Sequence, residues 1–306
     1  MSDFDADADV IIIGGGPAGL TAAIYLSRFL LKTLVVDRGD SRAALIPVSH
    51  NHAGYPDGIG GPELVARMRA QAAEYGTRFI DGEARRIAVD ADGFVVAVEE
   101  QYRARAVLIA TGVRNRRPAM PDDVHDAALA GGQLRYCPVC DAYEVTDRRV
   151  GVIGSGEHAV KEALFLRAHT ADLTLIAPDG AHDLDDDQRR DLAAAGIATI
   201  DGPATDYQLE GDRLSLAAAG ERLSFDSIYP ALGSDVHSDL AKALGAKTAE
   251  AGCIVVDSHQ RTSVTGLYAA GDVVLGLDQI SHAMGDGGVA ATTIRNDLAA
   301  QVPLRR

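Results

Sequence analysis

One pattern occurs twice in this chain, 140 positions apart, and it leaves few folds open. The apolar run Val10-Ile11-Ile12-Ile13 enters Gly14-Gly15-Gly16-Pro17-Ala18-Gly19. A helical pattern follows from Leu20 to Leu31, and a second apolar run, Thr33-Leu34-Val35-Val36, ends at Asp37. Further on, Val150-Gly151-Val152-Ile153 enters Gly154-Ser155-Gly156-Glu157-His158-Ala159, then a helical stretch from Val160 to Arg167 and the run Leu173-Thr174-Leu175-Ile176. Each copy reads as strand, glycine turn, helix, strand, which is one βαβ unit of a doubly wound sheet. The expected fold is therefore α/β, with two Rossmann-like, three-layer dinucleotide-binding domains. The length of 306 residues suits roughly two domains. No low-complexity linker separates them. The second domain, residues 116–236, reads as an insertion into the first, residues 1–115 and 237–306, through crossovers near 114–120 and 232–240.

The first loop has a physical rationale at each glycine. Gly14 permits the tight turn off the strand, Gly16 lets backbone approach a pyrophosphate, and Gly19 lets the helix pack on the strand. The helix start offers unpaired N–H groups and a positive dipole end to phosphates. Asp37 lies 18 positions after Gly19, at a strand end, where a carboxylate accepts bonds from ribose hydroxyls. The second loop keeps Gly154 and Gly156 and puts Ala159 third, which the fingerprint allows. Its next strand ends in Ala177-Pro178-Asp179, with neither a carboxylate directly on the strand end nor a cation for a 2′-phosphate. A second dinucleotide fits Gly154, Gly156 and Ala159, but nothing there argues for tight NADPH or NADH binding.

Charge narrows the partners. With 29 basic and 44 acidic residues the net charge is −15, which argues against nucleic acid and anionic membranes as general partners. Residues 10–27 carry no charge, yet four glycines and Pro17 interrupt them, unlike a spanning helix. The start, MSDFDADAD, lacks the basic residues of a signal peptide and reads as a solvated tail, so the expected location is cytoplasmic.

Cys137-Pro138-Val139-Cys140-Asp141 precedes the second βαβ unit. Thiols at this spacing close a small disulfide ring, and an adjacent acid can exchange the proton that thiol chemistry requires. A metal site needs more ligands than one C-x-x-C supplies, and Cys253 stands alone in an apolar run, as an ordinary core residue. No metal is expected. The acidic run from Asp183 to Asp191 reads as a solvated helix start.

In order, GGGPAG, the Ala110-Thr111-Gly112 triplet, CPVCD, GSGEHA and Ala269-Ala270-Gly271-Asp272-Val273 resemble the low-molecular-weight thioredoxin reductase family along nearly the whole chain. The resemblance implies FAD on the first loop and the C-terminal segment. Its contacts would be Gly14, Gly16, Pro17, Ala18, Gly19, Asp37, Asn51, Ala110, Thr111, Gly112, Gly271, Asp272 and Gln279. It implies that Cys140 faces the flavin, that Cys137 attacks the partner disulfide and that Asp141 is the acid/base. A homodimer is the family habit.

Three departures bear on the electron donor. The family's basic stretch after the second βαβ strand is Ala177-Pro178-Asp179 here, its Ala-Thr pair within the C-x-x-C is Pro138-Val139, and its Arg before Gln279 is Asp278. The expectation is a FAD-dependent thiol–disulfide oxidoreductase acting on a thioredoxin-like protein or a small disulfide or dithiol, with NADPH use in doubt. The alternatives are a dithiol oxidase using oxygen, or a reductase fed by a ferredoxin or another electron-donor protein. A non-catalytic flavoprotein is a further reading, which the intact CPVCD argues against. His50, His52 and His282 are read as scattered hydrogen-bonding residues, with His282, close to Gln279, the best candidate for the flavin pocket.

Overall fold

The first strand, β1 (Ala8–Ile13), is apolar on both faces, as a strand covered on both sides must be. The computed structural model describes residues 6–302 and 304 and places β1 centrally, parallel to β2 (Thr33–Asp37) and to β6 (Gln101–Ile109). Asp7 and Asp9 do not belong to a solvated tail. β1 begins at Ala8, Asp9 accepts the Lys32 N–H at 2.8 Å and Asp7 that of Arg103 at 2.8 Å; residues 1–5 lie outside the described residues.

Between β2 and β6 come α2 (Gly61–Glu74), β3 (Arg78–Asp81), β4 (Arg86–Asp90) and β5 (Gly93–Ala97), after α1 (Pro17–Arg28). The outer sheet runs β3-β2-β1-β6-β5-β4, with β16 (Leu267–Ala269) also on β6. Alternation along β1 divides its side chains between two cores. Val10 and Ile12 face α1 and α8 (Ile280–Gln301), packing with Ala22, Leu26, Ala290 and Ile294. Ile11 and Ile13 face the other side, with Phe94, Ile254 and Leu267. Each fully buried side chain of this kind contributes about 2 kcal/mol.

The helix α8 starts at Ile280, although the helical pattern of the sequence is plain only from about Gly288. Gly285, Gly287 and Gly288 hide its first turns because glycine is a poor helix former. Gly287 has a packing reason: a methyl there would overlap the Ala18 carbonyl oxygen of α1.

The chain crosses to the second lobe through β7 (Val113–Asn115). There it forms α3 (Asp122–Ala130), α4 (Pro138–Asp141), β8 (Val150–Ile153), α5 (Gly156–Leu166), β9 (Leu173–Ile176), α6 (Asp186–Ala194) and β10 (Ala198–Ile200). The strands β11 (Thr205–Glu210), β12 (Arg213–Ala218) and β13 (Glu221–Phe225) make an antiparallel sheet, and β14 (Ser227–Pro230) completes a parallel one of order β10-β9-β8-β14. The return strand β15 (Ser234–Val236) pairs with β7, so the two crossovers form one ribbon, and α7 (Asp239–Ala243) follows.

One local reading changes. The run after Gly252 forms no strand: Ile254 makes only isolated bridges, to Thr248 and Val274, because no neighbour runs alongside it. Cys253 is accordingly half-buried rather than a core residue. The acidic run is the start of α6, where Asp185 and Gln188 form a capping box. No helix among the described residues is long and apolar enough to cross a membrane.

Candidate functional site

The first glycine loop opens onto a cavity of about 400 Å³ at the junction of the lobes. Gly14, at φ +110°, lies so close to Ala110 that a methyl would overlap its carbonyl oxygen. Gly16 has only the Ser41 hydroxyl within 4 Å of where a Cβ would stand, so backbone faces open space. Gly19 does not line the cavity; it packs on the Gly14 carbonyl. The first turn of α1 carries no acid and no side-chain cap, leaving its N–H groups free.

Asp37 accepts the N–H of Gly15 at 3.1 Å and of Gly39 at 3.2 Å. It lines the cavity together with Pro17, Ala18, Asn51, Ala110, Thr111, Gly112, Gly271, Asp272 and Gln279. Burial, with repulsion from Asp278, pushes the Asp272 carboxyl up to about 6. Arg42, which no sequence motif marks, opposes this by holding Asp272 at 3.1 Å and Asp278 at 3.0 Å.

The disulfide reaches the same cavity from the segment between β7 and β15. Cys137 caps α4 with Pro138 at its first position, and the Cys140 N–H returns to the Cys137 carbonyl at 2.9 Å, so the two sulfurs close a ring. The Gln279 side-chain amide donates to both sulfurs, at 3.2 Å to Cys137 and 3.1 Å to Cys140. Asn51 donates to the Gln279 oxygen at 3.0 Å. Four sequence candidates from three distant parts of the chain thus meet at one point.

Asp141 is mostly buried beside them. Its carboxylate accepts from the Arg135 guanidinium at 3.0 Å and the Tyr229 hydroxyl at 2.8 Å. Burial pushes its carboxyl above the usual range, and these two partners oppose the rise. Arg135, Glu144 and Tyr229 were not apparent from sequence; the only signal was Arg135 lying two residues before Cys137.

The second loop stands apart: Gly154, Gly156 and Ala159 do not line the cavity. The Ser155 hydroxyl accepts the Asp183 N–H at 2.7 Å and lies 3.3 Å from His182 Nδ1, so the segment after β9 folds back over the loop. Charges of both signs stand nearby: Glu157 pairs with Lys161, Asp185 caps α6, and the Arg189 guanidinium donates to the His182 carbonyl at 3.3 Å. Of the histidines, His50 lines the cavity, His52 stacks on Tyr55, and His282 lies 3.6 Å from Asp286.

A family model described as pyridine nucleotide-disulphide oxidoreductase matches residues 8–287. The chain belongs to that family. It is 33% identical to the thioredoxin reductase of Listeria monocytogenes, over 92% of this chain and 91% of the relative. A crystal structure of HlmI matches with TM-score 0.88 and 31% identity, covering 96% of this chain and 93% of the other. The thioredoxin reductase of Streptococcus pyogenes matches with TM-score 0.87 and 28% identity, covering 96% and 98%. The chain is thus a thioredoxin reductase-like flavin disulfide oxidoreductase.

The family implies a flavin and a nicotinamide cofactor. The outer lobe fits the first: open backbone at Gly16, free N–H groups on α1 and a carboxylate at Asp37 are what a dinucleotide needs. The second loop fits less well, since its Ser155 hydroxyl is engaged by its own chain.

Proposed function

We propose that this family member exchanges electrons between a flavin in the outer lobe and an external dithiol or disulfide through Cys137 and Cys140, without using NADPH. The observation that carries the reading is the contact of Gln279 with both sulfurs, because it puts the disulfide at the cavity that fits the flavin. The division into an outer lobe, 1–115 and 237–306, and an inserted one, 116–236, belongs to this reading, and the β7–β15 ribbon supports it.

When bound, FAD would supply two-electron redox chemistry next to the sulfurs. Gly14, Gly16, Pro17, Ala18, Ala110, Thr111 and Gly112 would hold it along backbone, and Asp37 would accept from its ribose. Gly271 and Asp272 would hold its central chain, with Asn51 and Gln279 at the end nearer the sulfurs. Gly19 contributes by bringing α1 against the loop. Cys137 would meet the outside partner and Cys140 the cavity. Asp141 would move the proton that accompanies thiolate formation. A thioredoxin-like protein or a small dithiol would serve as partner.

The doubt about NADPH rests on the second loop. Phosphates approaching Gly154 and Gly156 would meet Asp183 pinned over Ser155, and no cation at the end of β9. Anaerobic titrations decide it: dithiothreitol bleaches the visible flavin absorbance rapidly, and stoichiometric NADPH does not. Fast bleaching by micromolar NADPH overturns the nucleotide-independent reading. Peroxide released during aerobic dithiol turnover distinguishes an oxygen-using oxidase from a reductase fed by a donor protein.

A further inference from the structure

Asp141 is held by two groups that no motif predicts, both from the inserted lobe. The Arg135 Nη1 lies 3.0 Å from one carboxylate oxygen and the Tyr229 hydroxyl 2.8 Å from the other. Each is fixed in turn. Arg135 Nε donates to the Gly132 carbonyl at 2.9 Å and lies 3.3 Å from the Ser227 hydroxyl, which itself donates to Gly132 at 2.7 Å. Tyr229 sits on β14 opposite Val152 of β8 and is 0% exposed, so its ring cannot turn away without opening the core. A carboxylate left free at this depth would rotate and draw in water. This one is held in a single orientation by both partners, on the residue that follows Cys140 and lines the same cavity.

We propose that Arg135 and Tyr229 are positioning residues for Asp141, fixing its carboxylate beside the Cys137–Cys140 pair and setting the pH at which it exchanges protons with thiols. The inference rests on the thiol–disulfide reading above.

The exchange balances without another reagent. One thiolate of an external dithiol attacks Sγ of Cys137; the Cys137–Cys140 bond breaks and its electron pair leaves on Cys140. The second substrate thiolate attacks its own sulfur in the mixed disulfide, and Cys137 leaves as thiolate. Two electrons pass from substrate to the cysteine pair. Asp141 takes one substrate proton and returns it to a cysteine thiolate; the other goes to solvent. The reverse order reduces a disulfide.

Other charges around the acid do not replace the clamp. Glu144, on the turn after α4, adds to the upward push on Asp141, and its Oε2 is buried without a partner. Tyr136 is turned to His125 at 2.8 Å. On α5, which packs on α4, Glu162 pairs with His158 at 3.2 Å. Across the cavity Arg42 holds Asp272 and Asp278, and His237 Nδ1 lies 3.1 Å from the Thr111 carbonyl.

Removing the Tyr229 hydroxyl takes a hydrogen bond from the charged form of Asp141 and so raises its pKa further. The test uses the holoenzyme and dithiothreitol. Reduction of the Cys137–Cys140 bond is followed against pH by rapid thiol alkylation and mass spectrometry, a readout independent of flavin colour. The thiolate fraction of dithiothreitol changes equally for every protein, so ratios to wild type isolate the enzyme's group.

Tyr229→Phe keeps the ring and is expected to move the Asp141-dependent limb to higher pH by about one unit, the size expected for a hydrogen bond to a charge. Arg135→Gln moves it the same way, Arg135→Lys restores part of the shift, and Asp141→Asn removes the limb. Carboxyl ¹³C titration of Asp141 in wild type and Tyr229→Phe is the second measurement, and the same upward shift is expected. A uniform loss of rate in Tyr229→Phe with an unmoved limb and titration overturns the positioning role while the thiol–disulfide reading stands. No exchange by wild type overturns both.

Discussion

Asp272 shows how a single carboxylate reports its surroundings. Burial beside Asp278 pushes it to about 6, so the folded chain binds this proton more tightly than the unfolded chain does. The stability it contributes is fully present below about pH 4 and is lost as pH rises through about 6. Asp272→Asn removes that loss. Thermal or urea unfolding is expected to show the variant gaining about 2–3 kcal/mol on wild type between about pH 4 and pH 7. A constant difference across that range would mean the carboxyl is not held as described. Residues of this kind were partly legible in sequence. Asp272 and Gln279 stand in recognisable motifs, and Cys137, Cys140 and Asp141 are contiguous. Arg42 and Tyr229 were not legible, because each reaches its acid by folding from 230 and 88 positions away. Only spatial proximity marks them.

At the scale of elements, glycine turns were legible because each has a local cause, a positive φ or a close backbone approach. The helix α8 was legible only in its second half, since Gly285, Gly287 and Gly288 lower local propensity and only packing shows why the helix continues. Two glycines in it should respond oppositely. Gly287→Ala drives a methyl into the Ala18 carbonyl and is expected to cost about 1–3 kcal/mol through displacement of α8 from α1. Gly285→Ala meets nothing within 4 Å and is expected to stabilise by up to about 1 kcal/mol from helix propensity. Chemical denaturation of the two variants checks both. Equal effects would mean that α8 does not rest on α1 as described. The Cys253 run fails for the converse reason: its composition favours a strand, but a strand needs a neighbour, and only Ile254 finds one.

The whole molecule is two glycine-turn lobes joined by the β7–β15 ribbon, with a disulfide from one placed at the cavity of the other. The duplication in sequence carried the fold because each copy specifies its own βαβ unit. It did not carry the meeting of the lobes, which depends on side chains such as Gln279 reaching across. On the proposed function, flavin and disulfide form one electron store. Anaerobic reduction of the purified protein with dithionite, counted per bound flavin, tests it most directly. Wild type is expected to consume about twice the reductant that Cys137→Ser/Cys140→Ser consumes, one share for the flavin and one for the disulfide. Equal consumption by the two proteins, or a purified chain that retains no flavin and cannot be reconstituted with it, would rule out such a shared store.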